Sequence, residues 1–162
     1  MPVFNDQTEI MPVVPEGDYI FTVTNFDCGV STGSKTAGSD NYKMAVDLYD
    51  PTTKKNGRSN EVLTDHPSCS WKIDCFIKSA GVQVKKGEAF EFRADVAKSK
   101  GVKFVNAEGL RGWCHVVVEE YEKRDKTKGL SNKISIFYTD RPKLEPVVIA
   151  GPADAIDPEA GF

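Results

Sequence analysis

Residues 112–138 read GWCHVVVEEYEKRDKTKGLSNKISIFY, and the parsing of this stretch decides the fold. The first arm, Trp113-Cys114-His115-Val116-Val117-Val118, carries β-branched residues at the density a strand prefers. The second arm, residues 133–138, alternates Ile134, Ile136 and Tyr138 with Ser135 and Phe137, the period of two of a half-buried strand. Residues 123–132 between them are too polar to bury and supply Gly129 to turn on. The whole reads as a long β-hairpin with a cationic tip. Lys123, Arg124, Lys126 and Lys128 face one carboxylate there, Asp125, a balance suited to gripping a polyanion.

Upstream of the hairpin, Pro15-Glu16-Gly17-Asp18 is turn chemistry that launches a strand over residues 19–26. Alternation sets Tyr19, Phe21 and Val23 on one face, with Ile20, Thr22, Thr24 and Phe26 on the other. A loop rich in Gly, Ser and Thr (28–41) leads to a second strand. Its two faces are Tyr42, Met44, Val46 and Leu48, and Lys43, Ala45, Asp47 and Tyr49. Residues 50–60 form a turn-rich loop holding Lys54, Lys55 and Arg58, and 61–64 a short strand. The period then changes: Cys69, Ile73, Phe76, Ile77 and Ala80 recur at helical spacing, with Ser68 or Ser70 as N-cap and Gly81 as the stop. Between 82 and 109 the pattern fits a strand over 89–94 and a short helix over 88–98 equally well.

This order predicts a mainly β class, an OB-fold-like five-stranded antiparallel barrel with one helix between strands 3 and 4 and flexible termini. An α+β sandwich is the alternative. The domain spans residues 16–143, preceded by an extended N-terminal arm (1–15) and followed by an acidic, disordered C-terminal tail (144–162).

At 162 residues the chain can bury a core without disulfides or metal. No apolar run is long enough to cross a bilayer, and the first residues lack the basic start and apolar stretch of a signal peptide. A cytoplasmic protein is the expectation. Cys28, Cys69, Cys75 and Cys114 form no CxxC pair and read as small buried hydrophobes. A zinc site from His66, Cys69, Cys75 and one of Cys114 or His115 would have only one pair at ligand spacing where two are needed. Gly33-Ser34-Lys35-Thr36 departs from the phosphate-loop spacing and joins two strands instead of opening a helix. Nothing marks a nucleophile with its base, so no catalytic residue and no cofactor is assigned.

The net charge of −3 conceals its distribution. No Lys or Arg precedes Lys35 or follows Lys143, and eight of the 24 acids lie outside residues 19–143. Sixteen acids therefore face 21 bases within that body, which carries +5. A basic body suits single-stranded nucleic acid, which needs cations along its phosphates and flat side chains under its bases, at about 1–3 kcal/mol per stacked base. Lys54, Lys55, Arg58, Lys123, Arg124, Lys126, Lys128 and Lys133 are the candidate cations, with Lys43 on the neighbouring strand face. If Cys114, Val116 and Val118 point inward, Trp113 and Tyr121 point outward, and the same rule turns Tyr49 and Phe137 outward as stacking surfaces. The tail PADAIDPEAGF is acidic and ends on an aromatic, so that it can set a ring in a pocket and carboxylates on a basic rim.

Asp154, Asp157, Glu159 and Phe162 resemble the acidic, Phe-ended tail of bacterial single-stranded DNA-binding proteins, with Ala160-Gly161 where the bacterial motif has Ile-Pro. The body is similar to a phage-encoded single-stranded DNA-binding family, associated with replication and recombination genes and formerly of unknown function. The carrying stretches are Val14-Pro15-Glu16-Gly17-Asp18-Tyr19, Phe76-Ile77-Lys78-Ser79-Ala80-Gly81, and Leu110-Arg111-Gly112-Trp113 followed by VVVEEY. The resemblance implies a barrel fold, non-specific single-strand binding in the host bacterial cytoplasm, and a tail that recruits replication and recombination proteins. The implied partners are single-stranded DNA, those proteins and further copies of the chain, with no membrane. A β-rich interaction or virion module and a metal-dependent nuclease or recombination enzyme are the alternatives.

Overall fold

The turn at Pro15-Glu16 releases β1 (Gly17–Val30), which pairs antiparallel with β2 (Asp40–Tyr49), and β2 pairs antiparallel with β3 (Asn56–Thr64). The computed structural model describes residues 13–148. After β3 come helix α1 (Trp71–Ser79), strand β4 (Phe90–Glu91), helix α2 (Ala94–Lys100) and strand β5 (Lys103–Phe104). The hairpin of β6 (Arg111–Glu122) and β7 (Lys128–Phe137) completes the order. The long strands form a mixed five-stranded sheet, β1-β2-β3-β7-β6, that curls until β1 also pairs β6. A mainly β chain is therefore correct, but not a wholly antiparallel sheet: β3 and β7 run parallel. Nor is there one helix. The ambiguous segment holds both readings in succession, a two-residue strand and then α2, which Gly101 ends in the left-handed region at φ 67°. β4 and β5 pair parallel in a small second sheet.

Strand β2 keeps its alternation, and Tyr42, Met44, Val46 and Leu48 are all buried. Two other strands do not. In β1 the register slips between Val23 and Asn25, so that Phe26 stacks on Tyr42 at 5.7 Å and joins the core with Phe21 and Val23, where unbroken alternation set it on the opposite face. In the β6–β7 pair the register slips after His115, which faces Ile136 while Val116 faces Ile134. That bulge leaves Ser135 and Ile136 both exposed and turns Phe137 inward, 2% exposed. A bulge adds one residue to one strand and reverses the parity of everything beyond it. Val118, expected inside, is exposed because β6 has by then run past its last β1 partner, Gly17 opposite Val116.

The core is a set of aromatic rings fed by these slips. Phe137 meets Phe21 edge-on at 5.2 Å and Phe76 of α1 at 5.5 Å, while Phe92 packs on Phe26 at 4.9 Å. Helix α1 presents Ile73, Phe76 and Ile77 to that core, as the helical spacing requires. Its hydroxyl-bearing Ser79 donates to the Trp113 carbonyl at 3.1 Å, which ties the helix to the start of β6.

Strand β3 begins at Asn56, five residues before the short strand read from the sequence. Its inward positions are Gly57, Ser59, Glu61 and Leu63, so three of the four carry no apolar side chain to mark the alternation. These residues close the sheet. Backbone pairing between β3 and β7 is confined to one register pair, Ser59 and Asn132. The rest of the junction is made by side chains. Ile134 N–H donates to Glu61 Oε2 at 3.1 Å, the Ser59 hydroxyl bonds both that carboxylate and the Asn132 carbonyl, and Lys72 Nζ approaches Oε1 at 3.5 Å. Asn132 holds both backbone groups of Val14, accepting its N–H at 2.9 Å and donating to its carbonyl at 2.8 Å. Val14 is buried against Gly57.

A buried carboxylate that loses its donors is costly, and so are donors that lose it. Glu61→Ala is expected to lower the unfolding free energy by about 3 kcal/mol or more, against within about 0.5 kcal/mol for Val62→Thr on the outer face. Urea unfolding of both variants measures this, and equal midpoints would remove Glu61 from its closing role.

Candidate nucleic-acid interface

The two lysine-bearing tips are built alike. In the β2–β3 turn, Asp50 Oδ1 accepts Thr52 N–H at 2.9 Å and Oδ2 accepts the Thr53 hydroxyl at 2.8 Å. In the β6–β7 turn, Asp125 Oδ1 accepts both Thr127 N–H at 3.0 Å and its hydroxyl at 2.6 Å. These threonine hydroxyls, helped by the backbone amides, hold both carboxyls below the usual range. Each tip then places a lysine in the left-handed region, Lys54 at φ 63° and Lys126 at φ 68°. Glycine or asparagine would fit that backbone with less strain.

Register sets where the tips stand. β3 and β7 are parallel neighbours, so the turns preceding them rise from the same end of the sheet, on either side of the same seam. Lys54, Lys55, Arg124, Lys126 and Lys128 are exposed there, and Lys123 is half-buried. Outside the seam lies a cleft of about 300 Å³ lined by Asn60, Val62, Lys72, Lys133, Glu119 and Ser131, with Glu61 and Asn132 at its floor. Lys133 is exposed at its edge. Two tip cations are partly engaged: Arg58 with Asp47 at 3.5 Å, and Lys128 with Glu120 at 3.9 Å.

The aromatics divide. Tyr121 is exposed on the projecting hairpin with its ring across Gly129, where a Cβ would sit 2.6 Å from the ring. Tyr49 and Trp113 stand elsewhere on the sheet: both are in register with Ile20, so the three form one row across β2, β1 and β6. That row spans two strand spacings, roughly 9.5 Å. Trp113 and Tyr121 share a face of β6 but stand eight residues apart, roughly 26 Å along the strand. Phe137 is in the core and offers no base a surface. Lys43 is exposed near the far end of β2, opposite Asp27 and Val62, away from the tips. Asp154, Asp157, Glu159 and Phe162 lie outside the described residues, as do residues 1–12 of the arm.

Two contributors escaped the sequence reading. Trp71 opens α1 at 60% exposure, next to Lys72 of the cleft. Its position seven residues before Lys78 puts it on the helix's polar face, a signal the helical period already contained. Arg141 covers the Trp113 row: its guanidinium lies 4.3 Å from the Tyr138 ring centre and 5.7 Å from that of Trp113. The same guanidinium bonds Asp18 at 2.9 Å. Asp18 also takes the Tyr138 hydroxyl at 2.8 Å and His115 Nδ1 at 2.9 Å. No three His, Cys, Asp or Glu side chains converge as metal ligands among the described residues. His66 Nδ1 is bonded to the Ser68 hydroxyl, and burial pushes the Cys114 thiol far up.

No family model, no curated protein and no solved structure matches this chain. Among the described residues no helix is long and apolar enough to cross a membrane.

The His115 hydrogen bond, with those of Tyr138 and Arg141, outweighs desolvation and lowers the Asp18 carboxyl to about 2. A depressed carboxyl contributes stability in full above its unfolded value near 4, and that contribution is lost as pH falls toward 2. Wild-type stability should therefore fall more steeply than that of Asp18→Asn between pH about 4 and 2. Urea midpoints across that window measure the difference, and parallel curves would show that Asp18 is not the linked group.

Proposed function

We propose that the chain binds single-stranded DNA without sequence specificity, as a coat for strands exposed in phage replication or recombination. The observation that carries this reading is the pair of similarly built lysine tips on either side of one seam. A left-handed lysine holds its ammonium on a strained backbone of fixed direction, and such strain gathers where a site needs it. Phosphates follow the tips, and the cleft between β3 and β7 continues the path past Lys133 to Lys72, whose chain neighbour Trp71 is exposed. Tyr121 gives a base one flat surface on the way.

The fold is read as an oligonucleotide-binding barrel. The ring order β1-β2-β3-β7-β6, with its one parallel junction and α1 after β3, supports this reading. That barrel type uses the face of strands 2 and 3 and the loop of its last hairpin for oligonucleotides. The acidic residues Asp154, Asp157 and Glu159, with Phe162, supply a handle for replication and recombination proteins. The host cytoplasm is the proposed compartment.

Titration of the full chain with oligo(dT), followed by Trp emission, tests the proposal. Six or so phosphate contacts would weaken binding about 10²-fold between roughly 50 and 200 mM salt. No quenching at low salt would sink it. Magnesium-dependent strand cleavage would favour a nuclease instead.

Lys54→Gly and Lys126→Gly separate charge from backbone strain. Each should reduce the salt slope by about 0.7, the single-strand value for one phosphate. Each should also leave stability unchanged or raise it by up to about 1 kcal/mol. An unchanged slope in both would remove the tips from the contact. Trp71→Phe should abolish more of the quench than Trp113→Phe if the path follows the seam, and the reverse ranking would place it on the Tyr49–Ile20–Trp113 row.

A further inference from the structure

The β6–β7 hairpin outlasts the ring that carries it. Backbone pairing from β1 reaches no further along β6 than Gly17 opposite Val116, and pairing from β3 meets β7 at Asn132 alone. Past those points residues 118–122 and 128–131 pair only with each other among the described residues. Val118 stands opposite Asn132 and Glu120 opposite Leu130, on the same face as the buried pair Val116 and Ile134. The inner face of the ring thus continues onto a two-stranded ribbon, where Val118 is 38% and Leu130 56% exposed. A ribbon of two strands is marginally stable in water and needs a further layer on its apolar face. Its outer face has a cover in the Tyr121 ring across Gly129. Val118 and Leu130, on the inner face, stay open to solvent.

We infer that the chain's own residues 1–12 pack on this inner face, with Ile10 and Met11 against Val118 and Leu130. The point of attachment favours this occupant. Asn132 clamps both backbone groups of Val14, at 2.9 and 2.8 Å, and Asn132 is opposite Val118 and two places from Leu130. Opposed residues of a strand pair lie about 5 Å apart, and two places along a strand are about 7 Å. Met11 and Ile10, three and four residues before Val14, reach up to roughly 10 and 14 Å from the clamp, so both targets are in range. Glu120 on the same face is engaged with Lys128 at 3.9 Å, and residues 1–12 carry no Lys or Arg for the cationic tip to repel. Area disfavours a second copy. The face measures roughly 14 by 10 Å, far below the ~800 Å² that each partner buries in a stable complex, whereas a tethered segment acts at a millimolar effective concentration. The cover stiffens the strands that carry residues 123–128, whatever that tip binds.

Methyl NOE spectra of the full chain test this directly. The Ile10 and Met11 methyl groups should show NOEs to the methyls of Val118 and Leu130. Hydrogen exchange of the ladder amides in 118–122 and 128–131 should accelerate at least tenfold in the double variant Ile10→Ser with Met11→Ser, while the β1–β2 ladder keeps its rates. The same double substitution should add nothing in a Leu130→Ser background, since both changes remove one contact. Absence of the NOEs, or ribbon exchange that the double variant leaves unchanged, overturns the inference. In a mixture of light and heavy isotope-labelled protein, NOEs solely between unlike chains overturn it in favour of a second copy.

Discussion

The sheet depends on one carboxylate. Everywhere else in the ring, neighbouring strands hold each other by backbone ladders, but β3 and β7 share a single register pair. Glu61 spans the remainder, taking the Ser59 hydroxyl, the Ile134 amide and the Lys72 ammonium. A charge among apolar side chains is tolerable only when its lone pairs are met, and here they are met by groups from three elements, β3, β7 and α1. The carboxylate thereby fixes the helix to the strands as well as the strands to each other. Asn132 does the same for the approach to β1, replacing a ladder partner for Val14 with its own amide. Side chains are longer than a ladder bond, so the junction they close is wide outside and leaves a polar cleft. The constraint that completes the sheet also makes its groove.

How far the sequence discloses this follows from what marks an inward position. β2 and α1 were legible because large apolar side chains mark their buried sites at the right period, with Ser79 the one exception. β3 was legible only over its last four residues, since Gly57, Ser59 and Glu61 are buried for hydrogen bonding and close approach, not for apolar area. The two bulges were invisible for a different reason. Alternation fixes parity locally, and nothing in the side chains of Thr24 or Ser135 announces that one extra residue will be accommodated there. Phe26 and Phe137 were therefore set on the wrong face by a rule that held on either side of the slip. Both are aromatic, and the core claims the larger apolar area when parity is free to shift.

The candidate interface was legible in part. The lysine clusters mark the two turns, but that they flank one seam depends on the parallel β3–β7 pairing, a long-range fact no local pattern carries. The aromatics were grouped by parity alone, and parity says nothing of distance along a strand. Tyr49 and Trp113 turned out to share a row, with Arg141 lying over the indole and the Tyr138 ring, while Tyr121 stands far along the same β6 face. Trp71 was legible in principle, since it falls outside the apolar stripe of Ile73, Phe76, Ile77 and Ala80 and takes the angular position of Lys78.

Charge is segregated along the molecule. The lysine tips stand at the end of the sheet where β3 and β7 begin, while Lys78, Lys85, Lys86 and Lys143 rim a pocket beside the end of α1. Nine residues of helix measure about 13 Å, which exceeds the Debye length of about 8 Å at physiological salt. Ligands at the two ends would therefore feel little of each other's field through solvent. Packing offers a shorter route. Lys72, at the start of α1, reaches Glu61 in the seam, and Ile77 and Lys78, near its end, form part of the pocket. A displacement of α1 by a ligand at its end would be transmitted to the carboxylate that closes the sheet. The Lys72–Glu61 contact, the Phe76–Phe137 ring pair and the Ser79–Trp113 bond are packed routes from α1 to the sheet, and a linkage carried by them would persist at salt concentrations that erase a purely electrostatic one.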